Sequence, residues 1–244
     1  MRTYAFAKRC AKEILRDPLN ILFGLGFPLV ILLLLSAIQS NIPIEMFEIQ
    51  TLTPGVTVFG LSFMTLFSAT LIARDREEAF LQRLYTTPLK PINFIVGYML
   101  PIVPIAVVQS VICYAAAILF FGLKPSINIL YAILMLIPIS VFYISLGLLC
   151  GSLLNVKQVG GICGALLTNL SAWLSGVWFD IDLLGNAFKK IANILPFIHA
   201  VELEKNIIFS NYTEVPSHLL PILLYSIIIT IISVKAFLHQ MKNQ

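Results

Sequence analysis

Asp180 and Asp182 stand two apart in the stretch FDIDLL, a spacing that lets two carboxylates share a divalent cation through oxygen. His199 and Glu202, three apart in FIHAVE, would share one face of a helix, as an acid/base pair needs. Together they are the raw material of a membrane-bound transferase or hydrolase. No HExxH zinc motif and no GxSxG nucleophile turn accompanies them, and acidic pairs on loops are ordinarily solvated, so the enzymatic reading is the weaker one. The chain also lacks GxxxxGK[ST], the loop that cradles nucleotide phosphates, so it does not bind ATP by that route. Cys10, Cys113, Cys150 and Cys163 are scattered with no CxxC pair. They read as small hydrophobes, forming neither a disulfide framework nor a metal site.

The elements that would carry these residues are set by composition. Of 244 residues, 59% are hydrophobic and 11% charged, where a soluble domain carries about 25% charged. The solvent of this chain must be largely lipid. A helix crossing about 30 Å of hydrocarbon needs roughly 20 apolar residues. Six runs meet that length: 19–38, 54–73, 91–121, 127–154, 159–179 and 219–238. Pro101 and Pro104 fall inside the third, which predicts a tilted or broken helix. Residues 183–212 are moderately apolar but interrupted. Phe188, Ile191 and Leu195 repeat like a short helix, Pro196 breaks it, and a second short helix runs toward Ile207, which predicts a re-entrant hairpin on the outer side. The expected fold is an all-α membrane protein, one transmembrane domain over residues 1–244.

An even number of spans puts both termini on one side, and basic residues choose the side. Arg2, Lys8, Arg9, Lys12, Arg16, Arg74, Arg76, Arg83, Lys90, Lys157, Lys235 and Lys242 fall on the side of the termini. Lys124, Lys189, Lys190 and Lys205 fall on the other. Both termini are therefore expected in the cytoplasm.

Two amphipathic segments lie on that inner side. Residues 1–17 collect Arg2, Lys8, Arg9, Lys12 and Arg16 on one arc of a helical wheel and Phe6, Cys10, Ile14 and Leu15 elsewhere. Such a helix lies in the interface, its basic face toward anionic lipid head groups or a cytosolic partner. Residues 74–90 place Phe80, Leu81, Leu84 and Tyr85 on one apolar face amid Glu77, Glu78, Gln82 and Arg83, ending at Thr87 and Pro88. A helix this short needs a surface to dock on, either a groove in a soluble partner or the lipid itself. In the second span, Thr57, Leu61, Met64, Thr65 and Ser68 share one face. That face is a translocation surface or a packing surface, with packing favoured. Gly160 and Gly164 form a GxxxG pair that reads as packing, and Asn169 follows deeper in the same span. No charge lies deep within a span, which argues against a proton- or ion-coupled carrier.

The stretch RDREEAFLQRLYTTPLKP resembles the loop of ABC-2 type permeases, the membrane subunits of a class of ATP-binding-cassette exporters. RDPLNILFGLGFPLVILLLL, PGVTVFGLSF, LSGVWFDIDLL and ILPFIHAVE resemble the family's first span, second span, and fifth span with its outer segment. The chain departs at Ala79 and Phe80, where the family often has Gly-Thr, and at Asp180, where proline often follows the aromatic pair. The resemblance implies that residues 74–90 are a coupling helix seated in a cleft of a separate ATPase subunit. Asp75, Arg76, Glu77, Glu78, Phe80, Leu81, Arg83 and Leu84 would make those contacts. It implies a second permease copy or homologous permease. The shared face of Thr57, Leu61, Met64, Thr65 and Ser68, with Asn169, is the candidate translocation path, and Pro196 and Phe197 are the candidate extracellular gate. ATP and magnesium would be bound by the partner chain, with no cofactor, metal or nucleic acid held by this one. The expected function is export of a drug, antibiotic or antimicrobial peptide across a bacterial plasma membrane. An ATP-independent carrier or channel and a membrane-bound enzyme are the alternatives.

Overall fold

The computed structural model describes residues 2–18, 22–41, 47–78 and 91–242. Helix α1 is Arg2–Arg16, α2 is Leu22–Asn41, α3 is Ile49–Glu77 and α4 is Pro91–Met99. Helix α5 is Ile102–Phe121, and α6 is Ile127–Leu153. The stretches Val156–Val159, Gly160–Leu167 and Thr168–Leu174 run on as one helical segment, α7. Helix α8 is Asn186–Ile194, α9 is Pro196–Ile208 and α10 is Val215–Lys242. The described residues contain no strand.

Five segments among them are long and apolar enough to cross a membrane: α2, α3, the pair α4–α5, α6 and α10. The sixth expected span is present only as α7. It is helical from Val156 rather than Val159 and ends at Leu174 rather than Phe179. Lys157, Gln158 and Asn169 dilute its hydropathy, and its middle turns are wound as a π-helix over Gly160–Leu167. Thr168 Oγ1 donates to the Cys163 carbonyl at 2.9 Å. Gly176, in the left-handed region at φ 72°, turns the chain beyond it. Of the six expected spans, five are long apolar helices, and the fifth in chain order is a shorter, wider-wound segment.

Proline accounts for the other interruptions. Between α4 and α5 Leu100 still donates to the Val96 carbonyl at 2.9 Å, and the ladder breaks at Pro101, which has no N–H to donate and whose ring crowds the preceding turn. Leu195 is extended, at φ −85° and ψ 150°, as a residue before proline prefers, so α8 stops there and Pro196 opens α9. These two short helices occupy most of the segment expected to form a hairpin. Helix α9 buries Phe197, Ala200, Val201, Leu203, Glu204 and Ile207 against the bundle.

Helix α3 is the centre of the fold, buried over most of its length. Its closest partner is α6, and glycine sets that approach. A Cβ at Gly147 would strike Ser68 Oγ and the Thr65 carbonyl, and one at Gly151 would meet the Ala69 backbone. Small residues let helix backbones approach where lipid offers no hydrophobic drive for association. Hydroxyls join the layers: Thr65 donates to the Tyr143 carbonyl at 2.9 Å and Ser68 to the Ile144 carbonyl at 3.1 Å. Ser145 and Thr230 meet at 2.7 Å, and Ser233 donates to the Ser145 carbonyl at 2.8 Å, fixing α10 on α6. The sequence pair Gly160 and Gly164 does less. A Cβ at Gly160 meets nothing within 4 Å, and one at Gly164 makes ordinary contact with Leu66. The close-packing GxxxG is in α6. Exposed Leu, Ile and Val side chains on α2, α5, α6 and α10 form the apolar outer belt.

Candidate coupling site

The carboxyl-terminal end of α3 collects contacts from several directions. Asp75 is fully buried there. Arg9 of α1 donates to both of its carboxylate oxygens, Nη1 to Oδ2 at 2.7 Å and Nη2 to Oδ1 at 2.6 Å. Tyr98 Oη of α4 donates to Oδ2 at 2.7 Å. This fork geometry is the strong form of ion pair, and the third hydrogen bond offsets part of the carboxylate's desolvation. Arg9 also reaches Glu13 at 3.0 Å, one helical turn on. Arg74 pairs with Asp17 at 3.3 Å.

Packing places these charges. Phe6, Cys10 and Ile14 lie on one face of α1 and are buried. Phe6 meets Tyr98 and Phe94 edge-on, with ring centroids 4.9 and 5.9 Å apart. Gly97 lies directly beneath the Phe6 ring, where a Cβ would collide. With that face fixed, Arg9 is held against Asp75, while Lys8, Lys12 and Arg16 line an open basic cleft with Arg74. Burial, reinforced by the Asp75 charge, pushes the Cys10 thiol up to about 12. Burial likewise raises the Glu13 carboxyl, against the opposing pull of Arg9.

The next residues turn the other way. Arg76 Nη1 donates to the carbonyls of Gly151 at 2.8 Å and Leu154 at 3.3 Å. Those are orphan carbonyls at the end of α6, which a cation satisfies well. Glu77 Oε1 accepts from the Val156 N–H at 2.9 Å, at the start of α7, where a negative charge is favoured. Asn155 caps the same turn, accepting from the Gln158 N–H at 2.8 Å. The carboxyl-terminal end of α3 is thus tied to α1, α4, α6 and α7 within three residues.

Of the expected coupling residues, Asp75 is interior, Arg76 and Glu77 hold the α6–α7 turn, and Glu78 is exposed. Phe80, Leu81, Arg83 and Leu84 lie outside the described residues. Asp75 is therefore corrected from a surface contact to an internal tie in this arrangement. Of its partners, Arg9 is read in the sequence only as one of the basic residues on the polar arc of residues 1–17, and Tyr98 is not singled out. The available signal was an acid at a membrane exit alongside an arginine on a helix with a buried apolar face.

The expected path residues divide. Thr57, Leu61, Met64, Thr65 and Ser68 are all buried, the last two bonded into α6, so in this arrangement their face is a packing surface. Asn169 is exposed on α7 with its Nδ2 donating to the Ala165 carbonyl at 2.8 Å, beside exposed Ala165, Leu166 and Trp173. Pro196 and Phe197 are buried, with Phe197 packed on Phe142 and Tyr143 at centroid distances of 5.8 and 6.2 Å. Trp178 sits on Phe59 at 5.3 Å. His199 is bonded to His218 and to the Asn193 carbonyl, each at 3.0 Å, and Glu202 to Lys205 at 3.0 Å. The acid/base partnership read from their spacing is not formed. No group of three metal-ligating side chains occurs among the described residues.

Comparison with known proteins decides the family: the ABC-2 type transporter profile matches residues 1–209. The chain belongs to the ABC-2 type transporter family. It is similar to a putative transport permease, ycf38, of Porphyra purpurea, with 30% identity over 59% of this chain and 53% of that protein. The corresponding protein of Pyropia yezoensis is 29% identical over the same shares. ABC transporter G family member 20 of Dictyostelium discoideum is 26% identical over 80% of this chain and 27% of its own length. The chain spans about half the length of the two transport permeases it matches, and about a quarter of the third relative. This ABC-2 family protein is a helical membrane protein of a transport family.

Proposed function

We propose that this chain is the membrane subunit of an exporter driven by a separate ATP-hydrolysing protein. The supporting observation is the carboxyl-terminal end of α3, where Asp75, Arg76 and Glu77 bind α1, α4 and the α6–α7 turn immediately before residues 79–90. Force applied to that segment would reach four helices at once. In this reading residues 79–90 sit in a cleft of the ATPase, with Glu78, Phe80, Leu81, Arg83 and Leu84 as the contacts. ATP and magnesium belong to that partner. Closure of two ATPase subunits would tilt the helices between inward- and outward-open arrangements.

A second copy, or a homologous permease, would complete the path. The exposed face of α7 that carries Asn169 suits that role, because an amide facing lipid finds no partner beyond its own helix. In this reading α7 is the sixth crossing, both termini lie in the cytoplasm, and α8 and α9 dip into the outer leaflet to cap the exit at Pro196 and Phe197. The cargo is amphipathic, a drug, antibiotic or antimicrobial peptide, and the membrane is a bacterial plasma membrane.

The test is co-purification of the tagged chain with an ATPase from its native membrane. Charge reversal at Glu78 and Arg83 together with Phe80→Ala should abolish both the complex and nucleotide-dependent export. Retention of both, or transport into vesicles that persists without nucleotide, rejects the reading.

A further inference from the structure

Among the described residues two carboxylates are fully buried, Asp75 and Glu204. Asp75 has a cation. Glu204, on the buried face of α9, has none: its Oε2 accepts from Tyr114 Oη of α5 at 3.1 Å, and its Oε1 has no hydrogen-bond partner among the described residues. Among the described residues, the neighbouring elements bring no compensating charge. Helix α3 carries no charged residue before Arg74, at its far end. Helix α6 offers Tyr143, whose hydroxyl meets Ser171 at 2.6 Å. Helix α10 offers His218, bonded to His199, and Tyr225, which donates to the Ile194 carbonyl. Lys189 and Lys190 lie on α8, and Glu202 and Lys205 on α9 itself pair with each other. An isolated carboxylate in such surroundings is too costly to keep ionised.

We propose that Glu204 is a proton-binding site, holding a proton while its face of α9 is packed on α3 and α6 beside Tyr114 of α5, and releasing it to water when that face is exposed. The protonated acid is itself a donor as well as an acceptor, so the pair with Tyr114 closes without a net charge. When the helices separate, the Glu204 O–H bond breaks, the proton passes to water and a solvated carboxylate remains. Burial holds the Glu204 carboxyl well above the usual carboxylate range. The packed arrangement is then most stable below that usual range, where both forms carry the proton. As pH rises from there toward the raised value, only the exposed form sheds its proton. Each unit then weakens the packed arrangement by up to about tenfold.

This property belongs to the chain alone, whatever drives it, so the test needs no ATPase. The full chain in lipid nanodiscs is compared with Glu204→Gln by infrared difference spectroscopy. At neutral pH the wild type should show a protonated-carboxyl stretch that the variant lacks, and Tyr114→Phe should shift that band. Melting across pH should show the wild type losing stability relative to Glu204→Gln as pH rises above the carboxylate range. A Glu204 signal that is carboxylate alone at neutral pH overturns the proposal, as do parallel pH profiles. If Glu204→Gln does not fold, the Tyr114→Phe shift decides, and a protonated band that this variant leaves unmoved overturns it.

Discussion

Arg9 and Asp75, 66 residues apart in sequence, grip each other through two parallel hydrogen bonds of 2.7 and 2.6 Å at the carboxyl-terminal end of the central helix. The arginine side chain is about one-third exposed and the aspartate is wholly buried. Removing either partner therefore has different consequences.

Arg9→Ala strands a buried carboxylate, and melting of the solubilised protein should show a loss of about 3–5 kcal/mol. Asp75→Asn keeps the shape and the Tyr98 contact while Arg9 turns to water, so the loss should be about 1–3 kcal/mol. Equal losses would mean that the pair is not the tie described here.

Cys10 lies beside this pair with its thiol pushed up to about 12 by burial and by Asp75. Too little thiolate exists near neutrality to react. Maleimide labelling of Cys10 at pH 7.5 (in a variant lacking the other cysteines) should be at least about tenfold slower than that of an exposed cysteine, whose pKa is about 8.5. Asp75→Asn should accelerate it. Rapid labelling in the unmutated pair would place α1 elsewhere.

Helix packing offers a paired comparison. Gly147→Ala forces a methyl group onto Ser68 and the α3 backbone, which should cost about 1–3 kcal/mol as overpacking. Gly160→Ala meets open space and should change stability by less than about 0.5 kcal/mol. Melting temperatures of the two variants check the contrast.

Asn169→Leu separates path from scaffold. The side chain is exposed and bonds only within its own helix, so melting should move by less than about 0.5 kcal/mol. Export measured in cells should fall if α7 faces the path. Unchanged export would remove Asn169 from it.

Hydropathy and proline made most of the architecture legible. The breaks at Pro101 and before Pro196 follow from a missing N–H and a crowded preceding residue, both local properties. The closing of α7 was not legible at the same level, because a π-helical stretch and the turn at Gly176 depend on what packs beside them. Gly160 and Gly164 were singled out for close packing, yet the real approach is at Gly147 and Gly151. Spacing alone does not reveal which face of a helix meets a neighbour. Glu204 was hidden for the same reason: in LEKNII it looks like a solvated acid on an outer helix, and only the fold turns it inward. Asp75 was recognised as important, but its partner on α1 is a long-range fact.

The Arg9–Asp75 tie also bears on how the protein is made. Helix α1 leaves the ribosome well before Asp75 is translated, so Arg9 has no carboxylate to grip at that stage. Asp75, once threaded, is a burial penalty until Arg9 arrives. The amino-terminal helix can therefore complete this tie only after α3 and α4 have been made, so its final docking comes late relative to its own synthesis.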